Sequence, residues 1–141
     1  MNPELHITLL EKPDDPAWEV VGGGISTFNL SHAGSDAATP LCVVLRDETG
    51  ATLGGLIGET YYGWLSVSLM YLREDLRGLS YGEKLLLRAE EEARLRGVKD
   101  VFLDTFSFQA PGFYQKLGYR IFGELVDFPP GHTRHFMTKH L

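Results

Sequence analysis

Cysteine is almost missing from this 141-residue chain: Cys42 stands alone, which excludes an intramolecular disulfide. It sits in the apolar run Leu41-Cys-Val-Val-Leu45, so a buried small hydrophobe is the expected role. No hydrophobic run approaches the roughly 18 residues that span a bilayer, and no basic start precedes an apolar signal core. A cytoplasmic protein with no membrane partner is therefore the expectation. Basic clusters are equally absent. With 13 Lys+Arg against 19 Asp+Glu the formal net charge is -6, whereas binding to nucleic acid by counterion release needs a concentrated cationic surface. A cationic small molecule or a basic segment suits this charge better than a polyanion. No His/Cys/Asp cluster has metal-ligand spacing, so no metal is expected. Repeats, low-complexity tracts and linkers are lacking too, and residues 1–141 are expected to form one domain.

What is present reads as an ordinary globular composition, 43% hydrophobic and 23% charged. Leu5–Leu10 is expected as a first strand. Asp15 and Pro16 suit the N-cap and first position of a helix running to about Phe28. Gly22-Gly-Gly24 inside it costs about 1 kcal/mol per glycine relative to alanine, so the helix is expected to break there or to admit a very close neighbour. Ser31–Thr39 reads as a loop, Leu41–Arg46 and Ala51–Glu59 as strands around the turn Asp47–Gly50, and Trp64–Leu72 as the third strand of a meander. The surest helix covers Glu83–Arg96, with Gly82, Leu85, Leu86, Ala89 and Ala93 on one face. On it Glu90 with Arg94 and Glu92 with Arg96 have favourable i,i+4 spacing. Gly97 suits its C′ position. Val98–Phe106 is expected as a strand, Ala110–Leu117 as a short helix closed by Gly118, and Tyr119–Val126 and Thr133–Lys139 as the last strands, joined by a turn at Asp127–Gly131. Strands and helices mixed in this order predict an α/β fold.

The segment Arg77-Gly-Leu-Ser80-Tyr-Gly82, between the third meander strand and the surest helix, carries the most chemistry. The first N–H groups of a helix have no intrahelical partner, and the macrodipole adds partial positive charge there. Glycines let such a backbone approach an anion closely. Two readings compete. Gly78-Leu-Ser80-Tyr-Gly82 also satisfies Gly-x-Ser-x-Gly, the elbow of serine hydrolases, and Asp104 and His132 follow in the order nucleophile, acid, histidine. Against that, the polar stretch Arg73–Arg77 separates the serine from its strand, and no glycine-rich loop stands ready to complete an oxyanion hole.

The alternative rests on two segments together. Arg77–Gly82 resembles the Arg/Gln-x-x-Gly-x-Gly/Ala loop of the GCN5-related N-acetyltransferases, the GNAT superfamily, with serine at the first motif glycine. Ser107-Phe-Gln-Ala110-Pro-Gly-Phe113-Tyr114-Gln-Lys-Leu-Gly118-Tyr119 is similar to that family's Asn-x-x-Ala-x-x-Phe-Tyr-x-x-Leu-Gly-Phe signature. The resemblance spans Met70 to Tyr119, about a third of the chain, and the element order agrees with the family throughout. It implies a mixed, mostly antiparallel sheet with helices on both faces, and acetyl-CoA as co-substrate. It implies further that Met70, Tyr71 and Leu72 pair with the pantetheine arm as an added strand, and that Arg77, Gly78, Leu79, Ser80, Tyr81 and Gly82 wrap the pyrophosphate. Ser107 replaces the asparagine that holds the pantetheine, and Tyr114 takes the place of the acid that protonates the leaving thiolate, a task a phenol near pKa 10 can perform.

The implied activity is N-acetyl transfer to a primary amine of a small molecule, or of a peptide. A module that binds acyl-CoA without turnover is the second class. Homodimers are common in the family. Glu59 and Asp104 are the candidates for a general base. His132 and His135 are expected in surface or packing roles and Phe113 in the core. Tyr61, Tyr62 and Trp64 are candidates for lining the acceptor pocket under a lid at Ser31–Thr39, or for simple aromatic cover.

Overall fold

The computed structural model describes residues 3–141, in two compact units that divide at Asp36 and Ala37. In the first, Leu5–Leu10 has no regular structure, contrary to the strand expected there. Its alternating Leu5, Ile7 and Leu9 carry strand propensity, but extended chain becomes a strand only through a hydrogen-bonded neighbour. Helix α1 (Asp15–Ala17) is capped one residue earlier than expected. Asp14, not Asp15, is the N-cap, accepting from Ala17 N at 2.9 Å, and Pro16 lies inside the first turn. The helix widens into a π-turn at Trp18–Gly22 and continues as α2 (Gly23–Ala33). The glycine triplet does not break it, and among the described residues no close neighbour lies within 4 Å of where the Cβ atoms of Gly22, Gly23 and Gly24 would stand. Their entropic cost is real, but it does not prevent a continuous helix. Helical Ser31–Ala33 and strand residue Thr39 shorten the expected loop from both ends.

The second unit is a six-stranded sheet: β1 (Thr39–Arg46), β2 (Thr52–Tyr61), β3 (Trp64–Leu72), β4 (Asp100–Phe106), β5 (Arg120–Val126) and β6 (Thr133–His140). The strand order is β1-β2-β3-β4-β6-β5, and every neighbouring pair is antiparallel except β3 with β4. Helix α3 (Tyr81–Leu95) connects β3 to β4, and α4 (Pro111–Lys116) follows β4. A crossover of this kind is what a parallel pair requires. The observed helix α3 starts two residues earlier than the sequence suggested, and β4 two residues later.

The core lies between α3 and the sheet. Leu41, Leu56, Leu65, Val67, Val101, Leu103 and Met137 meet Leu86, Ala89 and Ala93 of α3, as the helical periodicity predicts. Cys42 is a correction. It is exposed, because alternation along β1 turns Leu41 inward and its neighbour out, so the apolar run is not buried on both faces. Glu90 departs from expectation as well. It is fully buried in α3 and pairs not with Arg94 but with Lys139 Nζ of β6 at 2.8 Å, while Tyr119 Oη donates to its other oxygen at 2.9 Å. The Glu92–Arg96 pair forms as expected, at 3.1 Å. The glycines of β2 have a steric purpose: a Cβ on Gly58 would run into the Ser66 carbonyl oxygen of β3.

Candidate active site

Strands β3 and β4 separate part-way. Their parallel pairing covers Trp64–Val67 against Asp100–Leu103 and then stops, although β3 runs on to Leu72 and β4 to Phe106. A register shift at Ile57/Gly58 in the β2–β3 ladder inserts an extra residue, Ser68, at the point of divergence. Such a bulge bends its strand and adds twist, which turns the end of β3 away from β4. Arg73 N–H donates to Leu53 O of β2 at 3.1 Å. Antiparallel alternation then turns the amides of Met70 and Leu72 the other way, toward the gap. The result is a cleft of about 700 Å³ lined by Met70, Tyr71, Leu72, Arg77, Asp104 and Tyr114, among others.

At one end of the cleft the chain turns from β3 into α3. Arg77 Nε donates to Leu72 O at 2.8 Å, and its guanidinium lies over the Tyr71 ring, so this arginine fastens the turn to the end of the strand. Gly78 and Ser80 both adopt positive φ, +76° and +70°. Positive φ at Ser80 explains why glycine suits this position. The left-handed conformation costs an L-residue roughly 1–2 kcal/mol. No side-chain hydrogen bond caps α3, and the hydroxyl of Ser80 makes none as its N-cap. The carbonyl of Ser80 accepts the first helical bond, from Lys84 N at 3.1 Å, leaving the amides of Tyr81, Gly82 and Glu83 ahead of the ladder. Gly82 sits where a Cβ would come within 3.3 Å of Phe113, so α3 and α4 approach closely at this point.

Tyr114 reaches the cleft from α4. The ring is buried, and its hydroxyl donates to Met70 Sδ at 3.7 Å. Burial, reinforced by the nearby Asp104 carboxylate, holds the phenol proton more tightly than usual. Asp104 shares the cleft, but Arg134 of β6 binds both of its oxygens, Nε to Oδ1 and Nη2 to Oδ2, each at 3.0 Å. Phe113 packs on the core as expected.

Other candidates go elsewhere. Glu59 is not among the residues that line the cleft. Ser107 does not line it either: its hydroxyl accepts from Thr133 N at 3.0 Å and so pins the start of β6. Tyr61, Tyr62 and Trp64 line a different hollow, of about 580 Å³, together with Phe102 and Phe122. The hydrolase triad is not assembled. His132 Nδ1 lies 3.4 Å from Ser107 Oγ rather than beside Ser80, and Asp104 is held by Arg134. His135 pairs with Glu124 at 3.1 Å. Sequence reasoning missed Arg134 and Gln109, because cross-strand register, not local spacing, carries Arg134 to the cleft.

A parted parallel pair, a bulged strand and a glycine-rich turn into a helix now stand beside the family comparison. The acetyltransferase (GNAT) domain model matches residues 38–121. The chain belongs to this family. It is 42% identical to the blasticidin-S acetyltransferase of Streptomyces morookaense over 95 residues, 67% of this chain and 70% of that protein. The crystal structure of an acetyltransferase from Bacillus cereus superposes with a TM-score of 0.88 at 32% identity, covering 95% of this chain and 98% of that one. An acetyltransferase from Bacillus anthracis, solved with acetyl coenzyme A, shares the fold at a TM-score of 0.64 and 16% identity over 72% of this chain and 62% of that one. The GNAT reading of the sequence is thereby established, and with it the mixed, mostly antiparallel sheet. The protein is an acetyltransferase.

Proposed function

We propose that this acetyltransferase takes its acetyl group from acetyl-CoA and delivers it to a primary amine of a small molecule. One observation carries the reading: β3 and β4 part after Val67 and Leu103, with the amides of Met70 and Leu72 turned to the gap and the Tyr114 hydroxyl inside it. An open strand edge is a docking place for an extended chain that carries amide groups, such as pantetheine. The turn from Arg77 to Gly82, with positive φ at Gly78 and Ser80 and unpaired amides at the start of α3, fits a diphosphate. The Bacillus anthracis relative binds acetyl-CoA on the same fold.

When bound, acetyl-CoA supplies a thioester, whose carbonyl carbon is open to attack by an amine. The chain's share of the work follows from its geometry. The amides of Met70 and Leu72 are the donors available to stabilise negative charge on the carbonyl oxygen. The cleft holds amine and thioester side by side, which removes much of the entropic barrier. As the new C–N bond forms and the C–S bond breaks, Tyr114 gives its proton to the departing sulfur, and the proton shed by the attacking nitrogen passes to solvent, from which the phenol is restored. A phenol is protonated at neutral pH, so the proton is in place, although burial and the Asp104 carboxylate make Tyr114 a weaker acid than a free phenol.

Titration calorimetry with CoA, paired with thiol release from acetyl-CoA in the presence of an amine panel, tests this directly. Saturable heat and amine-dependent thiol release are expected. Heat without thiol release for any amine would favour a CoA-binding module. No heat at millimolar CoA would remove the donor assignment.

A further inference from the structure

Three phenylalanine rings stand nearly parallel beside the cleft. Phe108 stacks on Phe106 at 5.2 Å between centroids and 12° between planes, and Phe128 stacks on Phe106 at 5.8 Å and 19°. Phe106 and Phe108 line the same cleft as Tyr114 and Asp104. Phe108 is 55% exposed and Phe128 42%. A single exposed phenylalanine is unremarkable, but two held parallel to a third beside the transfer gap form a flat apolar shelf.

The turns that carry the outer rings are held by hydrogen bonds. Phe108 projects from a turn closed by Gln109 N to Phe106 O at 2.8 Å and by Gln109 Oε1, which accepts from Phe106 N at 2.9 Å. Ser107 ties that turn to Thr133 twice: its N–H donates to Thr133 O at 2.8 Å, and its hydroxyl accepts from Thr133 N–H at 3.0 Å. Phe128 projects from a second turn, closed by its N–H to His132 O at 3.0 Å. The Arg134 guanidinium, anchored by Asp104, lies 5.7 Å from the Phe106 centroid and 5.2 Å from that of Phe128. The His132 ring stands perpendicular to Phe108, with centroids 5.0 Å apart. Rings that already stack on one another and are carried on held turns lose less entropy when a second flat surface is laid on them, and stacked aromatic pairs gain beyond their buried area.

We propose that the acceptor is a primary alkylamine whose chain bears a planar aromatic ring, the ring stacking on Phe108 while the amino group enters the gap beside Tyr114. The proposal rests on the reading of that gap as the acetyl-transfer site and adds the substrate class. Phe108 discriminates by its flat face, not by apolarity alone.

Two amines of equal carbon count make the test, 2-phenylethylamine and 2-cyclohexylethylamine, one with a planar ring and one without. Each is titrated calorimetrically into the CoA-loaded protein, and each is then assayed for thiol release with acetyl-CoA. The aromatic amine is expected to bind and react roughly three- to tenfold better, the ratio that an aromatic pair confers. In Phe108→Leu, which keeps apolar bulk but loses the flat face, that ratio is expected to fall toward one. The exposed position keeps the melting temperature of this variant within about 2 °C of the parent. Equal affinity for the two amines, an unchanged ratio in Phe108→Leu, or binding of neither amine by the CoA-loaded protein would each overturn the proposal. The heat of CoA binding, measured first on the same sample, reports separately on the donor site.

Discussion

Tyr114 Oη and Met70 Sδ stand 3.7 Å apart, so the short helix after β4 and the free end of β3 meet at one point in the cleft. Two distant sequence motifs converge there, and a thioether is too weak an acceptor to compete for the phenol proton. Tyr114→Phe keeps the ring and its packing but removes that proton. The expected result is a fall of about 10²-fold in kcat, with little change in the KM for acetyl-CoA. Steady-state kinetics with a fixed amine checks it, and an unchanged kcat would take Tyr114 out of the chemistry.

Ser80 holds φ at +70°, where its Cβ is strained. Ser80→Gly should therefore raise stability by about 0.5–1 kcal/mol, seen as a melting temperature higher by a few degrees, while CoA affinity is kept or improved. Ser80→Ala retains the strain and should gain nothing. Loss of activity in Ser80→Gly would revive a role for the hydroxyl.

Glu90 is wholly buried, and Lys139 supplies its countercharge at 2.8 Å. Lys139→Met leaves a carboxylate without a cation in the core and is expected to cost about 3 kcal/mol in urea unfolding. Glu90→Gln in the same background should recover at least about 1 kcal/mol, because a neutral amide needs no countercharge and still accepts from Tyr119. If the double variant were no more stable than Lys139→Met, the buried charge would not be the cause.

The phenols of Tyr114 and Tyr119 are both held above their ordinary value of 10.0, the first by burial and Asp104, the second by burial and Glu90. Above pH 10 the unfolded chain releases these protons while the folded chain keeps them. The unfolded state then binds fewer protons, so stability is constant with respect to these groups below that pH and falls as pH rises past it. Urea midpoints measured from pH 8 to 11 should show this decline, and Tyr119→Phe should make it shallower. An identical slope in the variant would remove Tyr119 as a source.

Much of the candidate site was legible because its parts are local. A strand, a glycine turn and a helix adjoin one another in sequence from Trp64 to Leu95, and the pattern of Leu85, Leu86, Ala89 and Ala93 names the buried face. Phe113 and Tyr114 follow in a short helix whose motif is contiguous as well. Where the reading failed, the deciding interaction was with something far along the chain. Leu5–Leu10 has the composition of a strand but not the partner that would make it one. Glu90 has the spacing to pair with Arg94, but β6 brings Lys139 to it instead.

From Leu41 onward the amino-acid order alone determined the element types, and with them the family to which the chain belongs, because these depend on neighbours within a few residues. Tertiary structure decided which carboxylate shares the cleft, what Ser107 holds, and that Phe106, Phe108 and Phe128 lie parallel. Those facts follow from the register of β4, β5 and β6 and from the bulge at Ser68, and register is set by the packing of the whole sheet rather than by any local stretch.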